Sequence, residues 1–354
     1  VGTEKASEER TDMVDGTNEQ EEGDGTGERE EVIPYYRPPS LTAEDRASLN
    51  RDIYDILSSG QYTKGELASH LATIIAMRAK YDHAIPLAQA THGIMILARW
   101  FRSRGYRKIR VPAFTWPSSY MPFVWLGYHV RFVDIDPKTW LADFGDLKPD
   151  TDELEIPVDT FGNVFRENDN DHPFVDSAQS FGSEWDSTLP TRVISLSASK
   201  ILTSGEGGIL LTQDEHLARF AQDAAGWFSR MPEMSAAVGL ANLRVFDSVL
   251  ARKKIIAETY RKTLPLAWQE IPHSTNHYIV AATVPSPKDI RKKNPGWEYR
   301  DYYQSIVSEK DEPTPIETMP ENGSLKVTRE VSRHIIAFPS WSDMDVSRIR
   351  EMKA

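Results

Sequence analysis

The 354-residue chain contains no cysteine, which removes disulfides, thiolate nucleophiles and cysteine-ligated metals together. It also lacks any run approaching the roughly 18 apolar residues that a membrane-spanning helix requires. Its first thirty residues hold no apolar stretch of the signal-peptide kind. These absences give no reason to expect a membrane partner, and they suit a cytoplasmic location. A basic face is missing as well. The net charge is −12, and residues 1–31 hold twelve acids and three bases, which leaves only −3 for the rest. Nucleic acid is therefore not expected as a ligand, because binding a phosphate backbone needs concentrated positive charge. There is no G-x-x-x-x-G-K-[ST] loop and no internal repeat. His70, His92, His129 and His172 match no ligand spacing, so no metal is expected.

Segment 1–31 is nearly free of large apolar side chains and cannot bury enough surface to offset its ordering entropy. It is expected to be a disordered acidic tail. Structure is expected from "VIPYYRPPS" onward. Thr42, with Asp45 three residues on, resembles a capping box ahead of the apolar positions Leu49, Ile53, Ile56 and Leu57. From residue 85 short Val/Ile-rich runs ("AIPLAQ", "KIRVPAF", "HVRFVDID", "LEIPVDT", "HPFVDSA", "RVISLS") alternate with helical patterns. Runs without strict alternation, separated by helices, suit strands buried on both faces of a mostly parallel central sheet, which makes the fold α/β. A long helix is expected from about Pro232 to Leu264. The expected units are a large α/β domain at 32–265 and a small C-terminal α+β domain at 266–354. The latter would hold a strand at "HYIVAATV", a helix around "EYRDYYQSIV" and a terminal helix at "DVSRIREMKA". "PSPKDIRKKNPGWEYR" reads as a basic surface loop.

Four features could carry chemistry. Lys200 follows the strand "RVISLS" and precedes Gly-Glu-Gly-Gly, and a lysine held among small residues can lose hydration and attack an aldehyde. Asp176 ends an apolar strand three residues before Gln179, where α/β sheets collect their ligands. Trp116 sits directly after a strand and before Pro117. Thr91 opens a helix, whose free N–H groups and hydroxyl would cradle a phosphate. Each also has an ordinary reading alone: a loop lysine, a turn-capping acid, a core aromatic, a helix cap. Together they match the requirements of pyridoxal 5'-phosphate, which needs a lysine for its aldehyde and a carboxylate for its ring nitrogen. It also needs a flat group against the ring and a helix start for its phosphate.

From about Ile33 onward the chain resembles the DegT/StrS-type nucleotide-sugar aminotransferases, pyridoxal-phosphate enzymes of fold type I. The likeness rests on "LSSGQYTKGE", "ATHGIMIL", "VPAFTW", "VRFVDIDPKTW", "VDSAQSFGS", "ISLSASK", "GEGGILLTQDEHLA" and "RMPEMSAAVGLANL", in order and at matching spacing. The resemblance implies that Lys200 bonds covalently to the cofactor and later moves protons. It implies that Asp176 pairs with the pyridine nitrogen, Trp116 stacks on the ring and Gln179 contacts it. Thr91, the His92 backbone N–H and Ser195 would hold the phosphate. The implied partners are an amino donor, usually glutamate, and a keto-sugar, normally nucleotide-linked. A homodimer with active sites at the interface is implied too. Relatives that dehydrate sugars carry histidine in place of this lysine, so Lys200 favours transamination. The alternatives are other chemistry on the same fold, a non-sugar acceptor, or a non-catalytic relative. Asp159, Phe161 and Phe228 stand where the family usually has His, Tyr and Asn, near the substrate in the first two cases and reaching the neighbouring subunit's site in the third.

Overall fold

The apolar runs become strands covered on both faces. The computed structural model describes residues 32–146, 148–166, 172–185, 190–303, 316–318 and 325–354, so the acidic segment 1–31 lies outside the described residues. The strands are β1 (His83–Leu87), β2 (Lys108–Pro112), β3 (His129–Val133), β4 (Glu153–Glu155), β5 (Phe174–Asp176), β6 (Thr191–Ser195) and β7 (Gly208–Thr212). They form two four-stranded arrays, β1-β7-β6-β5 and β10-β3-β2-β4, where β10 is Ile316–Thr318. A parallel bridge from Val158 to Asp176 joins the arrays edge to edge. Among the described strands of this sheet only β7 runs antiparallel to its neighbours. The sheet is mostly parallel, as its continuous apolar runs predict.

Helices α1 (Ala43–Ser59), α2 (Glu66–Ala79), α3 (Ala90–Ser103), α4 (Met121–Trp125), α5 (Glu215–Phe228) and α6 (Glu233–Thr263) flank the sheet. Successive strand residues face opposite sides. Val193 of β6 and Leu210 of β7 therefore pack with α3 and α5 residues, while Ile194, Ile209 and Leu211 pack with α2 and α6 residues. Thr42 caps α1 as its spacing predicts, its side chain accepting from Asp45 N at 3.0 Å. Among the described residues α6 is the one helix long and apolar enough, by composition, to cross a membrane, but half of that window is buried inside the protein.

The C-terminal part is built on an antiparallel sheet of β8 (Ala267–Trp268), β9 (Val280–Thr283) and β11 (Ile335–Phe338). Its core unites Ile256 and Tyr260 of α6 with Ile290 of α7 (Pro287–Lys293), Phe338, and Ile349 of α9 (Ser347–Arg350). Ile33 joins the same core and its amide donates to Gly296 O at 2.7 Å, so the chain's opening segment packs with the C-terminal sheet. Residues 32–354 group as one compact unit.

Three expectations for this region change. The stretch expected as a basic loop contains α7. Pro287 stands in its first turn, where proline is tolerated, and Ile290 anchors its buried side. The helix expected around "EYRDYYQSIV" is absent over its described part: Glu298–Tyr303 is not helical, Arg300 bridges Ala337 of β11, and Tyr303 has φ +57°. Its remainder lies outside the described residues. The terminal helix is only the four residues of α9, and α8 (Lys326–His334) and β11 appear where no element is expected.

Candidate active site

Strands β1, β2, β5 and β6 bring residues at or just after their ends to a single cavity of about 690 Å3. Gln89, Ala90 and Thr91 follow β1, Thr115 and Trp116 follow β2, Asp176 ends β5, and Ser195 to Ile201 close β6. Asp176 is 3% exposed. Its Oδ2 accepts from Ser119 Oγ at 2.6 Å and its Oδ1 from Ala178 N at 3.1 Å, and Ser119 Oγ in turn lies 2.8 Å from Thr115 Oγ1. Burial pushes the Asp176 carboxyl above its usual range, against the opposing pull of these two hydrogen bonds and of the Lys200 charge.

Lys200 lies on the turn after β6, with its amide donating to Ser197 O at 2.9 Å. Its Nζ donates to the Tyr278 hydroxyl at 3.3 Å and stands 4.6 Å from that ring's centroid. The glycines that follow have separate tasks. Gly205 takes φ +77°, a left-handed turn, and Gly208 lies under the start of α3, where a Cβ would come within 2.5 Å of Ala90 N. The close approach seats the helix start against the end of β6.

At that start Gln89 provides no side-chain cap, and the Thr91 hydroxyl makes no hydrogen bond among the described residues. Ser195 Oγ accepts from Ser197 N at 3.3 Å. Gln179 is fixed from both ends: its Oε1 accepts from Phe161 N and its Nε2 donates to the Tyr303 hydroxyl, each at 2.7 Å. Trp116 is 61% exposed, an open aromatic face at the cavity wall. Six of the seven expected residues thus line one cavity: Thr91, Trp116, Asp176, Gln179, Ser195 and Lys200. His92 does not. Its amide donates to Gln89 O at 3.2 Å, while its ring meets Ser229 Oγ at 2.8 Å and packs edge-on to Phe228. Burial lowers that ring's pKa.

Sequence reasoning missed Ser119, Tyr278, Tyr303 and Lys253. The first three carry no local signal, being a turn serine and aromatics of the C-terminal part. Lys253 does have one, since it falls on the buried stripe Phe246, Val249, Lys253, Ile256, Tyr260 of α6. A charge at helical spacing within an apolar stripe is out of place on a solvated face.

Two of the three departures, Asp159 and Phe161, lie outside the cavity lining. Asp159 is fully buried and pairs with Arg192 Nη1 at 2.9 Å, accepting also from Ser177 Oγ, Ser180 Oγ and Phe165 N. Phe161 is 1% exposed and stacks on Tyr303. Neither lines the cavity, so acid and phenyl ring form a structural base beneath it rather than a changed substrate contact. Phe228 closes α5 next to His92 and is half exposed.

The model of the DegT/DnrJ/EryC1/StrS aminotransferase family matches residues 43–353. The chain belongs to this family. Its similar relatives include GDP-perosamine synthase of Escherichia coli O157:H7, 23% identical over 66% of this chain and 71% of the relative. Another is UDP-4-amino-4-deoxy-L-arabinose–oxoglutarate aminotransferase of Shewanella sediminis, 25% identical over 70% and 73%. Among solved structures, DesI in the presence of its TDP-sugar product superposes with TM-score 0.75 at 20% identity, covering 91% of both chains. A GDP-4-keto-6-deoxymannose-3-dehydratase with a trapped PLP-glutamate geminal diamine reaches TM-score 0.76 at 16% identity, over 89% and 98%. This DegT/DnrJ/EryC1/StrS member thus has the fold type I architecture, a scaffold that carries both transaminases and a dehydratase.

Proposed function

We propose that this chain is a pyridoxal-phosphate-dependent aminotransferase that moves an amino group from an amino acid, with glutamate the expected donor, to a keto-sugar carried on a nucleotide. The observation that carries the reading is the meeting of Lys200 and a buried Asp176 in one cavity, with the uncapped start of α3 at its side. The residues fit the cofactor. Among the described residues Asp176 has two hydrogen-bond donors but no cation bonded to it, and a protonated ring nitrogen would supply that charge to a carboxylate whose burial is otherwise unfavourable. The free N–H groups of α3, the Thr91 hydroxyl and Ser195 suit a phosphate.

Bound there, the cofactor supplies an electron sink that lets a C–H bond next to nitrogen break. The chain's own groups do the rest. Asp176 keeps the ring nitrogen protonated, Ser119 orients Asp176, Trp116 flanks the ring, and Gln179, braced by Tyr303, contacts it. Lys200 would hold the cofactor through its Nζ and, once the donor's amino group has displaced it, would act as the free amine that carries the proton, with the Tyr278 hydroxyl orienting its Nζ. The lysine favours transamination over the dehydration that the same fold supports. A homodimer with the site at the interface belongs to this proposal, supported by the exposure of Trp116, Trp125, Trp227 and Phe228. So does a cytoplasmic location.

The test is a half-reaction. Absorption of the cofactor-loaded protein should shift on adding L-glutamate and return on adding a keto acid. A spectrum indifferent to every amino donor would remove transamination.

A further inference from the structure

Lys253 is a cation buried in the cavity wall without a counter-charge. It is 7% exposed, and its Nζ donates to Tyr278 O at 2.9 Å and to Ser340 Oγ at 2.8 Å, both neutral acceptors. Among the described residues it makes no ion pair with a carboxylate. An ammonium has three N–H donors, and only two are engaged. Two further cations belong to the lining of the same cavity. Arg300 bridges Ala337 through its backbone, three residues before Ser340, and its guanidinium lies over Tyr35. Arg37 stacks over Trp341, the residue after Ser340, at 4.9 Å. Both line the cavity.

The acids that share the cavity do not neutralise this wall. Asp176 is held by Ser119 and Ala178, Asp301 pairs with Arg291 at 2.6 Å, and Glu206 sits on the turn beyond Lys200. Burying an ammonium without a partner is costly, and it persists where a bound anion completes the set. Burial alone pulls the Lys253 ammonium down to about 7.

We propose that Lys253, flanked by Arg300 and Arg37, forms an anion subsite that receives a carboxylate or phosphate group of the substrate. The inference rests on the aminotransferase reading and deepens it, by naming what the wall of the same cavity formed by the C-terminal part recognises. The anion comes either from the donor's second carboxylate or from the diphosphate of a nucleotide-linked acceptor. An anion seated on Lys253 accepts its third N–H and restores the charge that burial disfavours.

The test uses protein saturated with pyridoxal phosphate, so that the phosphate cradle of α3 is already filled. Quenching of tryptophan fluorescence, with Trp116 and Trp341 lining the cavity, reads the binding of glutarate and of inorganic pyrophosphate separately. Neither probe can be transaminated. Lys253→Met and Arg300→Gln should bind at least one probe about tenfold or more weakly, the loss of one charge-assisted hydrogen bond. Weakening confined to glutarate assigns the subsite to the donor, and weakening confined to pyrophosphate assigns it to the acceptor. Far-UV circular dichroism checks folding, and the exposed Arg300 gives a variant that does not disturb the core. No binding of either probe to the wild type, or wild-type affinity in both variants, overturns the subsite. Cofactor absorbance in the same samples reports the Lys200 reading independently, so the two can fail separately.

Discussion

Ser119 Oγ stands 2.6 Å from Asp176 Oδ2 at the bottom of the cavity, donating to a carboxylate that burial holds above its usual pKa. The hydrogen bond favours the charged form, the form that a protonated pyridine nitrogen needs opposite it. Ser119→Ala should leave the fold intact and weaken retention of pyridoxal phosphate by about tenfold, from roughly 1–2 kcal/mol of lost hydrogen bonding. Equilibrium titration of the apoprotein with the cofactor measures it.

Asp176→Asn should separate stability from function. In the apoprotein the acid's folded pKa is raised, so its ionised form opposes folding at neutral pH, and stability falls as pH rises through and above the unfolded value. Removing that charge should leave the apoprotein's Tm unchanged or slightly higher. The same variant should lose the glutamate half-reaction by at least ~100-fold, because the ring nitrogen no longer has a carboxylate to keep it protonated.

Lys253 has the opposite sign from a salt-bridged lysine. Its folded pKa lies at about 7, below that of an exposed lysine, so between pH 7 and about 10 the unfolded chain holds one more proton than the folded one. Stability must therefore rise with pH across that window, by up to about 1.4 kcal/mol per unit. His277, whose own pKa is lowered by burial and by Arg261, Lys253 and Lys254, titrates near 4 and stays neutral there. Urea unfolding of the wild type and of Lys253→Met at several pH values should show a slope in the first that the second lacks.

Glu233 opens α6 but serves α2. Its carboxylate accepts from Gly65 N and Leu67 N, each at 2.9 Å, and from Ala68 N at 3.4 Å, capping a helix whose own N-cap is glycine. Glu233→Ala should cost about 1–3 kcal/mol of stability, since it leaves these donors unpaired in a buried place. Chemical denaturation measures it, and cofactor affinity should change much less.

Strands β1 to β6, the span of α6 and the Thr42 cap were legible because each depends on local periodicity or on one side chain's bond to its own turn. The cavity residues after those strands were legible through their motifs, since strand ends fix where the next residues go. The C-terminal part was less so. β11 is four residues long, α8 is mostly polar at its surface, and the backbone of Glu298–Tyr303 is set by pairing with β11 and Ile33 rather than by its own sequence. Asp159 and Phe161 read as substrate-side changes because position in a motif does not reveal where a side chain points. Arg192, thirty-three residues away, decides that. The His92 backbone N–H, expected at the phosphate, donates to Gln89 O, while its ring turns toward Ser229.

The central claim is that Lys200, and not Lys253 in the same cavity, bonds to the cofactor. Lys200 is the lysine whose charge acts on Asp176, while Lys253 is tethered to Tyr278 O and Ser340. Borohydride reduction of the protein with pyridoxal phosphate, followed by peptide mapping in a mass spectrometer, tests this directly. One pyridoxyl group is expected, on the peptide containing Lys200, and none in Lys200→Ala. An unmodified Lys200 peptide, or the label on Lys253, would contradict it.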